Sequence, residues 1–299
     1  MVEKIVQWDG SMSSLVQKEC SQKLQDRYPW VESEILTWTA GGREVEMLKM
    51  GQGGRTVLLT AAHHANESIT GLLLWRFLED YCKMVQDDGC LWDISCRGLF
   101  RHCTLYTVPM VNPDGCDLVA GLASEEEKRQ AATLAESQPT VSFPLGWKAN
   151  LQGVDLNLNY PARWEQAKAM KAKQPGPRDF PGYEPLDQPE TSALAELVQR
   201  IHPDIVAAWH TQGREIYGDG DDQLSELLAA YSGYDWTTVP AESANAGFRD
   251  WFLQEFHRPG YTIEAGFGEN PLPLSCLPEL YEENLPIFVL LLAGLSTKL

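Results

Sequence analysis

The stretch Val57-Leu58-Leu59-Thr60-Ala61-Ala62-His63-His64-Ala65-Asn66-Glu67 decides the reading of this 299-residue chain. Its apolar half has the length and composition of a buried strand. The run stops abruptly before His64 and Glu67, two metal-competent side chains three residues apart. Open α/β sheets gather ligands at the carboxyl ends of their strands, and these residues stand where such an end belongs. An HxxE spacing is common by itself, so the weight falls on what the rest of the chain sets beside it.

Upstream, residues 11–26 predict a helix with Val16, Cys20 and Leu24 along one side. Two β-like runs, 35–39 and 44–50, flank Gly41-Gly42 and read as a hairpin. The strand at 56–62 follows. Downstream, Ser68 to Val85 reads as a helix with Leu72, Leu73, Trp75, Phe77, Leu78 and Tyr81 on its apolar face, and Asn66 or Ser68 as its cap. A loop containing Gly89 and Gly98 leads to a strand, Thr104 to Met110, that ends in Asn112-Pro113-Asp114-Gly115. A charged helix begins at Ser124-Glu125-Glu126-Glu127. Residues 174–189 hold five Pro and two Gly and read as an irregular loop. After a helix from Gln188 to Ile201, the strand Pro203 to Trp209 runs straight into His210. Leu224 to Tyr231 and Ala246 to Phe256 are helical, the latter with Phe248, Trp251, Phe252 and Phe256 in a stripe. Tyr261-Thr262-Ile263 is a short strand with Glu264 at its end, and Leu280 to Leu295 closes the chain as a helix. Alternating strands and helices imply one α/β sheet with helices on both faces, a single domain spanning 1–299.

The formal charge of −18 disfavours nucleic acid, whose binding needs clustered Lys and Arg, and anionic membrane surfaces. Seven cysteines lie scattered without a CxxC pair, as expected of free thiols in a reducing cytosol. MVEKIVQWDGSM has no apolar signal core, and the longest apolar segment, Leu285 to Leu295, contains Pro286 and is too short to span a bilayer. The expectation is a cytoplasmic protein.

Polar groups close four strand ends: His64 with Glu67, Asn112 with Asp114, His210, and Glu264. Two His and one Glu make a normal catalytic zinc set, with the fourth position left for water. A further Glu is what a zinc hydrolase uses as general base.

These residues resemble the zinc carboxypeptidase superfamily. Its marks appear in order as His64-Ala65-Asn66-Glu67, Asn112-Pro113-Asp114-Gly115, Gly153-Val154-Asp155-Leu156-Asn157, His210 and Glu264. The resemblance covers nearly the whole chain. It implies a mixed eight-stranded sheet, one zinc ion on His64, Glu67 and His210, and Glu264 as general base and acid. It implies that Asp155 orients a zinc histidine and that Asn157 meets substrate. Lys148 falls where the family usually carries an Arg that polarises the scissile carbonyl; a Lys acts there as a point charge on an oxyanion.

Two departures narrow the activity. Leu158 occupies the position of the Arg that holds a substrate's terminal carboxylate in carboxypeptidases, and the family's tyrosine ahead of the catalytic Glu is absent, that region aligning near Glu242. Val154 to Pro161 and His210-Thr211-Gln212-Gly213 resemble instead the branch that cleaves γ-D-glutamyl-diaminopimelate bonds in cell-wall peptides. That resemblance implies a small muropeptide substrate, with Arg249 on the side-chain carboxylate of the diamino acid. The alternatives are an ordinary metallocarboxypeptidase and an aspartoacylase-like deacylase.

Overall fold

Gly41 and Gly42 turn the chain back on itself, so that β1 (Glu32–Trp38) pairs antiparallel with β2 (Glu44–Gly51). The computed structural model describes residues 4–6, 10–218, 223–239 and 245–294. Ahead of the hairpin lies α1 (Ser14–Arg27), capped by the Ser13 side chain. The deciding apolar run is β3 (Arg55–Ala61), and α2 (Ile69–Asp87) follows it. The stretch read as a loop around Gly89 and Gly98 holds more structure than expected. A ribbon of β4 (Cys90–Leu91) and β5 (Ile94–Ser95) leads into α3 (Cys96–His102), whose Gly98 N–H donates to the capping Ser95 side chain.

Next come β6 (Cys103–Val108), α4 (Pro113–Val119) and α5 (Glu125–Ala135). A short α6 (Trp164–Met170) interrupts the long irregular region before α7 (Pro189–Ile201). Then β7 (Ile205–Thr211) is buried along its whole length, as suits a central strand covered on both faces. Beyond it lie β8 (Glu215–Tyr217), α8 (Gln223–Ser232), β9 (Asp235–Thr237), α9 (Phe248–Phe256), β10 (Gly260–Ala265) and α10 (Leu277–Ala293).

Eight strands form one mixed sheet in the order β1-β2-β6-β3-β7-β10-β8-β9. Within it β6, β3, β7 and β10 run parallel. Side chains alternate across a strand, and the two core clusters divide accordingly. Leu59, Ala207 and Ile263 join α2 and α10 on one face. Leu58, Val206 and Ala208 join Leu194 and Val198 of α7 and Phe248 and Phe252 of α9 on the other. His210 and Glu264 continue the even-numbered series, so they emerge on the α7 and α9 face.

The path of the chain explains where the site lies. From β3 it crosses to β6 on one side; from β6 it returns to β7 on the other side of β3. Such a reversal opens a crevice at the carboxyl ends of the two strands. His64 and Glu67 follow β3 and His210 lies near the end of β7, so all three ligand candidates flank that crevice.

Candidate metal centre

At the end of β3 the chain must leave the sheet within two residues. Ala62 does this at φ +53°, a left-handed conformation that costs an L-residue with a Cβ roughly 1–2 kcal/mol. Hydrogen bonds hold it there: Ala62 N donates to Thr70 Oγ1 at 3.0 Å, and Asn112 N donates to Ala62 O at 3.0 Å. Thr70 Oγ1 in turn donates to Glu67 O at 2.7 Å, fixing the turn that carries Glu67. The expected side-chain cap on α2 is absent: Ser68 lies at the helix start in helical conformation and makes no capping bond. Thr70 takes over the anchoring.

The metal-ligand candidates meet. His64 Nδ1 lies 2.9 Å from Glu67 Oε1, His210 Nδ1 lies 3.0 Å from Glu67 Oε2, and the two Nδ1 atoms are 3.2 Å apart. A four-coordinate ion with bonds of about 2 Å sets its ligand atoms roughly 3.3 Å apart, so the donors already sit at ligand spacing. Among the described residues this is the one group of three or more His, Cys, Asp or Glu placed to hold a metal ion. His64 Nε2 lies 3.2 Å from Asp155 Oδ1. A proton on Nε2 leaves a lone pair on Nδ1, aimed at the centre. This pairing of a carboxylate with the far nitrogen of a ligand histidine is the usual device for fixing its tautomer.

Electrostatics point the same way. Burial would lower the proton affinity of His64, but Glu67 and Asp155 outweigh it and raise its pKa to about 9. The field that favours a proton on that nitrogen favours a divalent cation. Burial would raise Asp155 and Glu67, yet His64 and Lys148 hold both well below the usual carboxylate range. His210 is pulled down by burial, which favours the neutral ring a metal requires. His63 is fully buried against Tyr160, Phe248 and the His210 ring, and its pKa is far below normal for the same reason. Its ring stacks on that of His210, with centroids 5.7 Å apart.

Glu264 stands beside His210 in the parallel β7–β10 register and beside Glu215 in the antiparallel β10–β8 register. Burial, and then the charge of Glu67, raise its pKa above the ordinary carboxylate value, which suits a group that accepts and returns a proton. Glu215, which sequence reasoning passed over, shares this face and accepts a hydrogen bond from Tyr217 Oη. Its three-residue strand carries too short a pattern to reveal which residue it would face.

Lys148 is drawn into the cluster, its Nζ 3.2 Å from Glu67 Oε1. Its backbone is fixed by Lys148 O accepting from Ala65 N and by Lys148 N donating to Pro177 O. The Pro-rich loop therefore anchors the site. Asn157 Oδ1 accepts from Phe248 N at 3.1 Å and so caps α9. Arg249 is nearly buried. Its Nε donates to Gly260 O, its Nη2 to Gly218 O and its Nη1 to Asp250. Gly260 begins β10 whereas Glu264 lies near its end, roughly 13 Å away at strand rise. Arg249 thus belongs to the lower part of the face that Glu264 occupies, where three protein acceptors already hold it. Asp114 is not part of the metal cluster but pairs with Arg43, Thr39 and Gly41 N. Leu158, at the carboxylate-binding position of carboxypeptidases, is buried. Glu242 lies outside the described residues.

An α/β sheet with two histidines, a carboxylate ligand set and a free glutamate at one crevice defines a metallohydrolase. The chain belongs to the zinc carboxypeptidase family, whose profile matches residues 18–245; it is a zinc metallopeptidase. It is 38% identical over 283 residues to gamma-D-glutamyl-L-diamino acid endopeptidase 1 of Lysinibacillus sphaericus, covering 92% of this chain and 69% of that protein. It is 28% identical to murein peptide amidase A of Escherichia coli (strain K12) over 166 residues, 54% of this chain and 56% of that one. The fold matches bovine thrombin-activatable fibrinolysis inhibitor with a TM-score of 0.72 at 16% identity, covering 96% and 97% of the two chains.

Proposed function

We propose that this chain hydrolyses the γ-D-glutamyl–diamino acid bond of small peptidoglycan-derived peptides, using one zinc ion held by His64, Glu67 and His210. The observation that carries the reading is likeness along 92% of the chain to an endopeptidase named for that bond, in a chain whose ligand atoms already converge. Leu158 supports it further, because a buried apolar side chain cannot hold the terminal carboxylate that an ordinary carboxypeptidase reads. Unpaired cysteines accord with a reducing, cytoplasmic setting, and among the described residues no helix is long and apolar enough to cross a membrane.

A bound zinc ion supplies Lewis-acid polarisation and activates water at neutral pH. The protein does the rest. Asp155 keeps His64 in one tautomer. Glu264 takes a proton from the attacking water and hands it to the leaving amine. Lys148 brings positive charge to the edge where the carbonyl oxygen becomes an oxyanion. Asn157 borders the substrate; Arg249, already held by Gly260 O, Gly218 O and Asp250 low on this face, is assigned no contact at the scissile bond.

Purified protein, assayed for zinc content, should be given γ-D-glutamyl-diaminopimelate and γ-D-glutamyl-lysine peptides, an ordinary C-terminal α-peptide and an N-acyl amino acid. Mass spectrometry should find cleavage at the γ-glutamyl bond. Release of C-terminal residues alone, or deacylation alone, would overturn the proposal.

A further inference from the structure

The loop after Glu264 returns to the metal centre. Gly266 at φ +72° and Gly268 at φ +135° take backbone conformations that side chains resist, and they swing the chain back over the end of β7. Gly266 O accepts from Gly213 N at 2.8 Å and Arg214 N at 3.0 Å, which holds this return in place. Asn270 is thereby laid across Thr211 and Glu67.

Its amide closes a ring of hydrogen bonds. Thr211 Oγ1 donates to Asn270 Oδ1 at 2.7 Å; Asn270 Nδ2 donates to Glu67 Oε1 at 3.2 Å and to Thr211 O at 3.3 Å. Thr211 N donates to the other carboxylate oxygen, Glu67 Oε2, at 3.3 Å. The orientation of the amide follows from its neighbours. Turned over, Asn270 Oδ1 would face a carboxylate oxygen and a carbonyl oxygen at once.

We infer that Asn270, held by Thr211, is a positioning residue for the metal: it fixes the Glu67 carboxylate in the plane a divalent cation requires. Beside the ligand candidate His64, two side chains donate to Glu67 Oε1, and they differ in kind. Lys148 reaches it at 3.2 Å from a flexible four-carbon stem and is the group assigned above to the oxyanion. Asn270 is short and pinned at both ends of its amide. When Lys148 turns toward substrate, Asn270 remains. The bond also links the loop that follows the general base to a ligand on β3, so base and ligand share one frame. Groups that orient a ligand from outside the coordination set typically contribute about 10–100-fold in metal affinity.

This inference rests on the zinc reading of His64, Glu67 and His210, and its test keeps the two apart. The dissociation constant for zinc alone is measured by chelator competition, with the melting temperature of the apoprotein beside it. Asn270→Ala should weaken zinc about tenfold or more, while the apoprotein melts within about 2 °C of wild type. Thr211→Val, which removes the hydroxyl that orients the amide, should weaken zinc by less. The double variant should be no worse than Asn270→Ala, because both act through one bond. If Asn270→Ala binds zinc within twofold of wild type, or if the two losses add, the inference is overturned. If wild-type protein binds no zinc, the metal reading itself falls.

Discussion

Two clusters of buried and half-buried charge support the carboxyl edge of this sheet, and they are built on opposite plans. In the first, Arg43 bonds Asp114, Asp117 and Glu127 at once. Every carboxylate oxygen there has a donor, since Thr39, Gly41 N, Ser14 and Ser124 N complete what Arg43 does not reach. In the second, His64 Nδ1 and His210 Nδ1 face each other at 3.2 Å, and both face Glu67. The three side chains turn their donor atoms toward one point, at the spacing a divalent cation requires. Burial and charge are common to both clusters. What marks the second as a site is that the ligand atoms of three side chains converge on one point, with no protein cation at its centre.

The contrast breaks most sharply under substitution. Glu264→Gln should lower kcat by about 10³-fold or more, within the range of a lost general base. Zinc content and melting temperature should stay near wild type, as rapid-quench assays beside metal analysis would show. Arg43→Ala should do the reverse. Three carboxylates lose their shared cation, and removing one partner of a buried ionic cluster costs about 3–5 kcal/mol. Urea titration should register that loss, while the protein that remains folded keeps its zinc affinity and turnover. A large catalytic defect in Arg43→Ala at full folding would erase the distinction.

The sequence made one plan legible and hid the other. His64, Glu67, His210 and Glu264 stood out because each ends an apolar run long enough to read as a strand, and parallel central strands bring such ends to one edge. Asn112 and Asp114 ended a run too, yet they serve the scaffold. Asn112 Oδ1 accepts from Gly115 N, and its Nδ2 donates to the carbonyls of His63 and Ala149. The signal for α4 was present, since an Asn cap followed by Pro at the first helical position is a helix start, but the same four residues also read as a turn. Glu215 and Asn270 left no local mark. Their roles depend on strand register and on a loop that doubles back, which no short window of sequence specifies. Glu127 was readable only as a charged helix residue because its partner Arg43 is 84 positions away.

Another buried carboxylate sharpens the rule, because it belongs to neither plan. Glu190, in the first turn of α7, is wholly buried. Asn150 Nδ2 approaches Glu190 Oε1 only at 3.4 Å, and Glu190 Oε2 has no hydrogen-bond partner. No cation is paired with it among the described residues, and no ligand set surrounds it. Burial, with a smaller contribution from Asp114, pushes its pKa up to about 7. The folded protein therefore holds this proton more tightly than the unfolded chain, whose carboxyl titrates near the ordinary 4.5. Between those two values the folded state binds more protons, so stability falls as pH rises, and above about pH 7 the loss is complete. A shift of this size corresponds to roughly 3 kcal/mol at its limit. Glu190→Gln keeps the shape and removes the titration. Chemical denaturation at pH 5 should find the two proteins nearly equal; at pH 8 the Gln variant should be more stable by about 2–3 kcal/mol. Parallel stability curves across that range would mean that Glu190 is satisfied after all. In either case it is the convergence of ligand atoms, and not an unmatched acceptor, that separates a working site from a structural one.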